Sequence, residues 1–350
     1  MFNREPCCAH AIEFCAYAIE FAYHFISQNW YTFSGSLRPK FSNLSTGMTI
    51  PEKFIDAAVV DKTVYFVPFN QSDIGILDTE TMIFTTKDTG IKGMYLFGGG
   101  VVVGTNIYFM PYFQSRIGIL NTVTMEFTTL DTGLTHPYGL FQGAAVVDKV
   151  IYFAPFFSTV IGMLNTETMA FSTMNVGNGL NCTAIFDGAV AFNKIVYFIP
   201  FWGQRDNQVI GILDTVSLAF TVKHVSMPAG GIAGFAGGVR VDKTLYFVPS
   251  ERNFIGILRM ETMDFITKKI QHPKCTRPDS WFIGGVAIGT TIYFVPYNAD
   301  VVGVLDTKTM SFTTQDYGLR GDGKFRSAVR VGRKIYFAPA YQNEIVILET

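Results

Sequence analysis

Charge is scarce in this chain: Asp, Glu, Lys and Arg make up 16% of its 350 residues, against about a quarter in an ordinary globular protein. The 27 basic and 28 acidic side chains nearly cancel, leaving a formal charge of -1. A general polyanion binder is excluded, and no nucleic-acid partner is expected. Cysteine is equally sparse. The five cysteines are an odd number, with Cys7 and Cys8 adjacent and no C-x-x-C spacing, so no disulfide framework is written here and a reducing, cytoplasmic setting is expected. Unbroken apolar runs of the ~18 residues that a membrane-crossing helix needs are missing. So are H-E-x-x-H, G-x-S-x-G, P-loop and calcium-loop signatures, and Gly99 to Thr105 lacks a P-loop lysine. No cofactor is expected. What is abundant is apolar and aromatic material, 49% and 15% of the chain with 33 Phe and 16 Tyr, enough for a large core.

From Ala9 to Ile26 the apolar run is interrupted by His10, Glu13, Tyr17, Glu20 and His24 at steps of three and four. That spacing predicts one polar stripe on a helix. Residues 1–36 are therefore expected to be an extension, helical in part, ahead of a domain over 37–350. The two glutamates and the acidic residue after Arg4 argue against a secretory signal.

The domain is a repeat. Tyr-Phe-x-Pro begins at Tyr65, Tyr108, Tyr152, Tyr197, Tyr246, Tyr293 and Tyr336, at intervals of 43, 44, 45, 49, 47 and 43 residues. A glycine follows in an apolar run (Gly75, Gly118, Gly162, Gly211, Gly256, Gly303), the fourth after a loop insertion, and then a segment ending at Phe84, Phe127, Phe171, Phe220, Phe265 or Phe312. Each unit reads as four short strands joined by tight two-residue turns such as Asp61-Lys62. Three of the strands are apolar on both faces and the fourth alternates. Units of this size and pattern are blades of a β-propeller, here with seven blades. The chain ends before a fourth strand for the seventh unit, whereas Pro39 to Gly47 aligns with Met125 to Gly133. The strand around Phe41 is expected to complete the last blade and close the ring.

These units resemble YVTN-type propeller repeats, with Tyr-Phe-x-Pro where that family has Tyr-Val-Thr-Asn, followed by Ile-Gly-Ile-Leu-Asp-Thr. The stretch from Gly284 to Thr307 is similar to propeller repeats common in algae and other protists. A Kelch likeness rests on Gly237-Gly238 and Tyr246. The resemblance covers roughly residues 37–350 and implies fold, not function.

Meander topology sends the two-three loops and the inter-blade crossovers to one face, where the loops vary most. Aromatics gather there, among them Tyr112, Trp202, Tyr297 and Tyr341. Each crossover ends in a phenylalanine, and the residues that follow it, Ile55, Gly98, Gln142, Asp187, Ala236, Ile283 and Arg326, are expected to ring the axial mouth. Farther along the same strands, Arg240 and Arg330 replace apolar residues and need partners, water or an anion. Lys269, Lys274, Arg277, Arg320, Lys324 and Arg326 against Asp279, Asp316 and Asp322 are expected to form a solvated face. His136, His224 and His272 are placed in crossovers, as weak metal candidates without ligand spacing. Asp56 and Asp187 stand three blades apart and are not expected to act together. The reading is a monomeric binding or scaffold propeller that engages a protein or a small anionic or glycan partner through the loop-rich face. The alternative is a metal-assisted lactonase or lyase.

Overall fold

In a computed structural model, residues 40–135, 138–176, 185–201, 208–225, 234–251, 253–271, 273–275, 277 and 280–350 are described. The expected helix before residue 37 falls outside them, as do Trp202, His136 and His272. Every regular element among the described residues is a β-strand, so none is a helix long and apolar enough to cross a membrane.

The strands form seven four-stranded antiparallel sheets, six of them consecutive in sequence. The seventh mixes the chain ends: Lys40–Ser45 lies beside Glu344–Glu349, followed by Lys334–Pro339 and Phe325–Val331. Just beyond the N-terminal strand, the backbone N–H and the hydroxyl of Thr46 both donate to the carbonyl of Asn343, at 3.0 and 2.8 Å. Innermost strands of neighbouring blades pack side by side around the ring, and Phe54–Val60 of the first blade lies against Phe325–Val331 of the last. The ring is closed, and the blade edges are protected.

Burial explains the letter pattern. In the second strand of the first blade, Thr63–Pro68, every residue after Thr63 is buried. The outer strand Ile83–Asp88 has no buried residue: Phe84 and Lys87 are half-buried and the others exposed. Within each blade, phenylalanines from the first, second and outer strands line up in a row. Phe54 lies 5.3 Å from Phe66 between ring centroids, and Phe66 lies 6.2 Å from Phe84. Phe325, Phe337 and Phe41 repeat the row in the closing blade, at 5.3 and 6.2 Å. The recurrent third-strand glycine leaves room for these rings: a Cβ on Gly75 would stand 2.7 Å from Phe54 and 3.0 Å from Phe84. The first turn residue of each inner hairpin adopts positive φ, as at Asp61 (53°) and Asn193 (55°), a conformation that Asp and Asn tolerate. Met82 occupies a left-handed turn position (φ 58°), and the outer strand begins at Ile83.

Candidate functional site at the axial mouth

Each innermost strand starts with a buried phenylalanine, and the residue after it reaches the axis. All seven of these positions, Ile55, Gly98, Gln142, Asp187, Ala236, Ile283 and Arg326, line one cavity of ≈ 160 Å³, together with Asp56, Gly143, Gly188, Gly237, Gly284, Ser327 and Phe201. The cavity is shaped by a bulge. Pairing with the second strand is interrupted just after the phenylalanine in every blade, for example between Phe141 and Ala144. The second residue after the phenylalanine is glycine in five blades, whereas the first and last have Asp56 and Ser327, which pair with Val67 and Ala338. Glycine is required where the strands converge: Gly143 has φ 76°, and a Cβ there would approach the Cα of Gly188 to 2.5 Å.

Polar groups enter this narrow opening at few points. Gln142 donates from Nε2 to Oδ1 of Asp187 at 2.7 Å. Burial pushes the Asp187 carboxyl up to about 6; nearby Asp56 adds to the rise, while Gln142 and Arg326 oppose it. Asp56 accepts from the backbone N–H groups of Ala57 (2.8 Å, Oδ1) and Gly100 (3.1 Å, Oδ2) and from the hydroxyl of Ser327. It thereby ties the first blade to both neighbours. Burial outweighs these hydrogen bonds, and its carboxyl too lies above the ordinary value. Asp56 and Asp187, three blades apart, line the same cavity, and the charge of one raises the other slightly.

Arg326 donates from one terminal nitrogen to Glu52 at 2.5 Å. Its guanidinium lies over Phe69 and Tyr297, 5.5 and 5.2 Å from the ring centroids. Tyr112 is buried enough for its phenol to be pushed up to about 12, although Arg326 pulls the other way. Its ring stands 5.6 Å from Phe69 and 5.8 Å from Phe156, and Phe156 lies 5.5 Å from Phe201, so the two-three loops form an aromatic belt around the mouth. Tyr341 is half exposed, its phenol within electrostatic reach of Glu52, Tyr297 and Arg326. Of the sequence candidates, Tyr112, Gln142, Asp187, Tyr297, Arg326 and Tyr341 thus converge.

Others do not. Arg240 and Arg330 sit next to the closing pair of the inner hairpin, four residues past Ala236 and Arg326 or roughly 13 Å along a strand. Both are exposed: Arg240 covers the Phe192 ring at 5.9 Å, and Arg330 donates to the Gly332 carbonyl at 2.7 Å. His224 is not in a crossover but in the outer strand Phe220–Val225, exposed and paired with Val209. Among the described residues no group of three His, Cys, Asp or Glu side chains is placed to hold a metal. The basic crossovers are partly paired, Arg277 with Asp322 at 2.8 Å and Arg320 with Asp316 at 3.0 Å. Lys324 departs from the expected solvated face: it is fully buried beside Asp300 and the Gly321 carbonyl. Lys53, one residue before Phe54, is also fully buried, donating to the carbonyls of Ala340 (2.9 Å) and Gln342 (2.7 Å). Burial lowers its ammonium to about 8.

Lys53, Glu52 and Ser327 escaped sequence reasoning, although a signal existed. The position before the strand-leading phenylalanine is Leu96, Leu140, Ile185 or Trp281 in four blades, but lysine in the first and last.

No family model matches the chain, and no curated protein matches it. Solved structures do. A catalytically inactive virginiamycin B lyase from Staphylococcus aureus with quinupristin is similar over 89% of this chain and 100% of its own, at 17% identity and a TM-score of 0.74. The RRP9 WD40 repeats match over 89% of this chain and 97% of theirs, at 10% identity and a TM-score of 0.67. A chain of the mitotic checkpoint complex matches over 88% and 91%, at 10% identity and a TM-score of 0.64. Enzymes and non-enzymatic scaffolds both stand among these neighbours, and at such identities what they share with this chain is the seven-bladed propeller fold.

Proposed function

We propose that this propeller is a binding module whose ligand group enters the axial mouth on the loop-rich face, between the aromatic belt and the Gln142–Asp187 pair. The observation that carries this reading is the convergence of seven equivalent strand positions on one cavity, with the polar residues confined to Gln142, Asp187 and Arg326 at those positions and to Asp56 and Ser327 beside them. Aromatic walls with a few fixed polar groups are the usual make-up of a small-ligand site. The WD40 neighbours are compatible with a binding role. A thermal-shift screen of amines, carboxylates, glycans and short peptides tests the proposal. At least one class is expected to raise the melting temperature by a few degrees, and Asp187→Asn or Tyr112→Ala should abolish the rise. If no class does so, the reading fails.

A lyase remains the second reading, on one observation: Asp187, held near 6, is a carboxyl able to exchange a proton close to neutrality. The virginiamycin B lyase likeness adds the fold precedent. Turnover of quinupristin or of lactone substrates that is lost in Asp187→Asn would favour it.

A further inference from the structure

The charges around the cavity are unequal. Glu52, Asp56 and Asp187 set three carboxyls against the guanidinium of Arg326. The nearest other cations are committed elsewhere: Lys53 to the carbonyls of Ala340 and Gln342, and Lys324 to Gly321 and Asp300.

Arg326 has little to offer an anion. One terminal nitrogen is engaged by Glu52, aromatic rings cover its faces at 5.5 and 5.2 Å, and its Nε is sealed from solvent with no hydrogen-bond partner. An incoming carboxylate would compete there with the carboxylate of Glu52 already in place. Asp187 is the reverse case. Its side chain lines the cavity, the residue is 8% exposed, and only Oδ1 receives a protein donor, from Gln142. Among the described residues the other carboxylate oxygen and the amide oxygen of Gln142 meet no protein donor, which leaves two acceptors on this pair. Asp56, by contrast, has both oxygens occupied by Ala57, Gly100 and Ser327.

Resting on the binding reading above, we infer that the group taken by the cavity is a cation with several N–H donors, a primary ammonium or a guanidinium, held by Asp187 and Gln142. Charge-assisted hydrogen bonds to a partly desolvated carboxylate are the strong kind, and the apolar lining residues Ile55, Ala236, Ile283 and Phe201 suit the alkyl stem behind such a head. A cavity of ≈ 160 Å³ has room for a handful of non-hydrogen atoms, which fits a head group and stem. The cation can be carried on a protein side chain or on a free small molecule.

Titration calorimetry and ligand-observed NMR on the full chain at pH 8, with n-butylammonium, methylguanidinium and butyrate at matched ionic strength, test this inference. At least one cation should bind, and butyrate should not. Asp187→Asn should weaken the cation at least tenfold and Gln142→Leu several-fold, with melting temperatures confirming that both variants fold. Nα-acetyl-lysine amide and Nα-acetyl-arginine amide separate the sources: tighter binding than the simple cation points to a partner's side chain, and equal or weaker binding to a free amine or guanidine. Binding of butyrate in preference, insensitive to Asp187→Asn, overturns the inference but leaves the binding reading standing. Silence from all three probes alongside a hit of another class in the screen does the same, whereas silence everywhere removes both.

Discussion

Asp187 is a carboxylate placed where a carboxylate is costly. Its carboxyl titrates near 6 rather than 3.8 chiefly because of burial, so the folded state holds a proton more tightly than the unfolded chain. The sign follows. Stability is highest while the group is protonated in both states, falls as pH rises from about 4 to about 6, and stays lowered above that. Asparagine in its place still presents an oxygen to Gln142 Nε2 but carries no charge. Asp187→Asn is therefore expected to stabilise the protein by ~1–3 kcal/mol at pH 8, at about 1.4 kcal/mol for each pK unit, and the gain should vanish near pH 3. Urea melts of both proteins across this range check it; a destabilised variant at pH 8 would mean that the charge is compensated in the fold. A residue that weakens the fold when charged is the kind retained for binding or catalysis. Lys53 has the opposite dependence. Depressed to about 8, it favours stability as pH rises through that value toward 10.5. At this scale Gln142, Asp187 and Arg326 were legible in the sequence, since one phenylalanine per repeat fixes the count to the axis. Lys53 and Lys324 were not, because a lysine just ahead of a strand reads as a solvated turn residue, and only the folded loops supply the carbonyls that receive it.

The third strand of the blade shows how a repeated letter becomes a packing rule. Gly162 sits where a Cβ would come within 2.8 Å of Phe153, 2.9 Å of Phe141 and 3.1 Å of Phe171. Those rings come from three other strands of one blade, and Phe141 and Phe153 are fully buried. Gly162→Ala is thus expected to cost ~1–3 kcal/mol through displacement of the rings, measurable as a lowered urea midpoint with an unchanged slope. Gly47→Ala provides the contrast: nothing lies within 4 Å of that site, and its φ of 68° makes any penalty conformational. The closing blade breaks the rule, with Val346 paired to Phe337 where the other blades have glycine. There the outer-strand ring of Phe41 also stacks on Tyr317 of the neighbouring blade, 3.8 Å between centroids. The period of the glycines was visible in the sequence, but the partners of each were not, because they come together only after the strands pair.

At the scale of the whole ring, the departures from seven-fold repetition cluster at one seam. Glu52, Lys53 and Asp56 belong to the first blade, and Lys324, Arg326 and Ser327 to the last; the bonds from Lys53 to Ala340, from Arg326 to Glu52 and from Ser327 to Asp56 all cross the junction between them. The seam that closes the circle is also one wall of the candidate site. Closure depends on a strand from the other end of the chain. Without Lys40–Ser45 and Thr46, the edge of Glu344–Glu349 would face solvent, with its N–H and C=O groups unpaired and its apolar residues Ile345, Val346, Ile347 and Leu348 less covered. A chain lacking residues 1–47 should accordingly melt several degrees below one lacking only residues 1–39, and should associate more readily in light scattering. Because blade seven carries Arg326 and Ser327, the shorter chain should also lose part of any ligand-induced rise in melting temperature. Equal melting temperatures for the two truncations would show that the last blade holds its geometry with three strands, and the axial site would then be independent of the clasp.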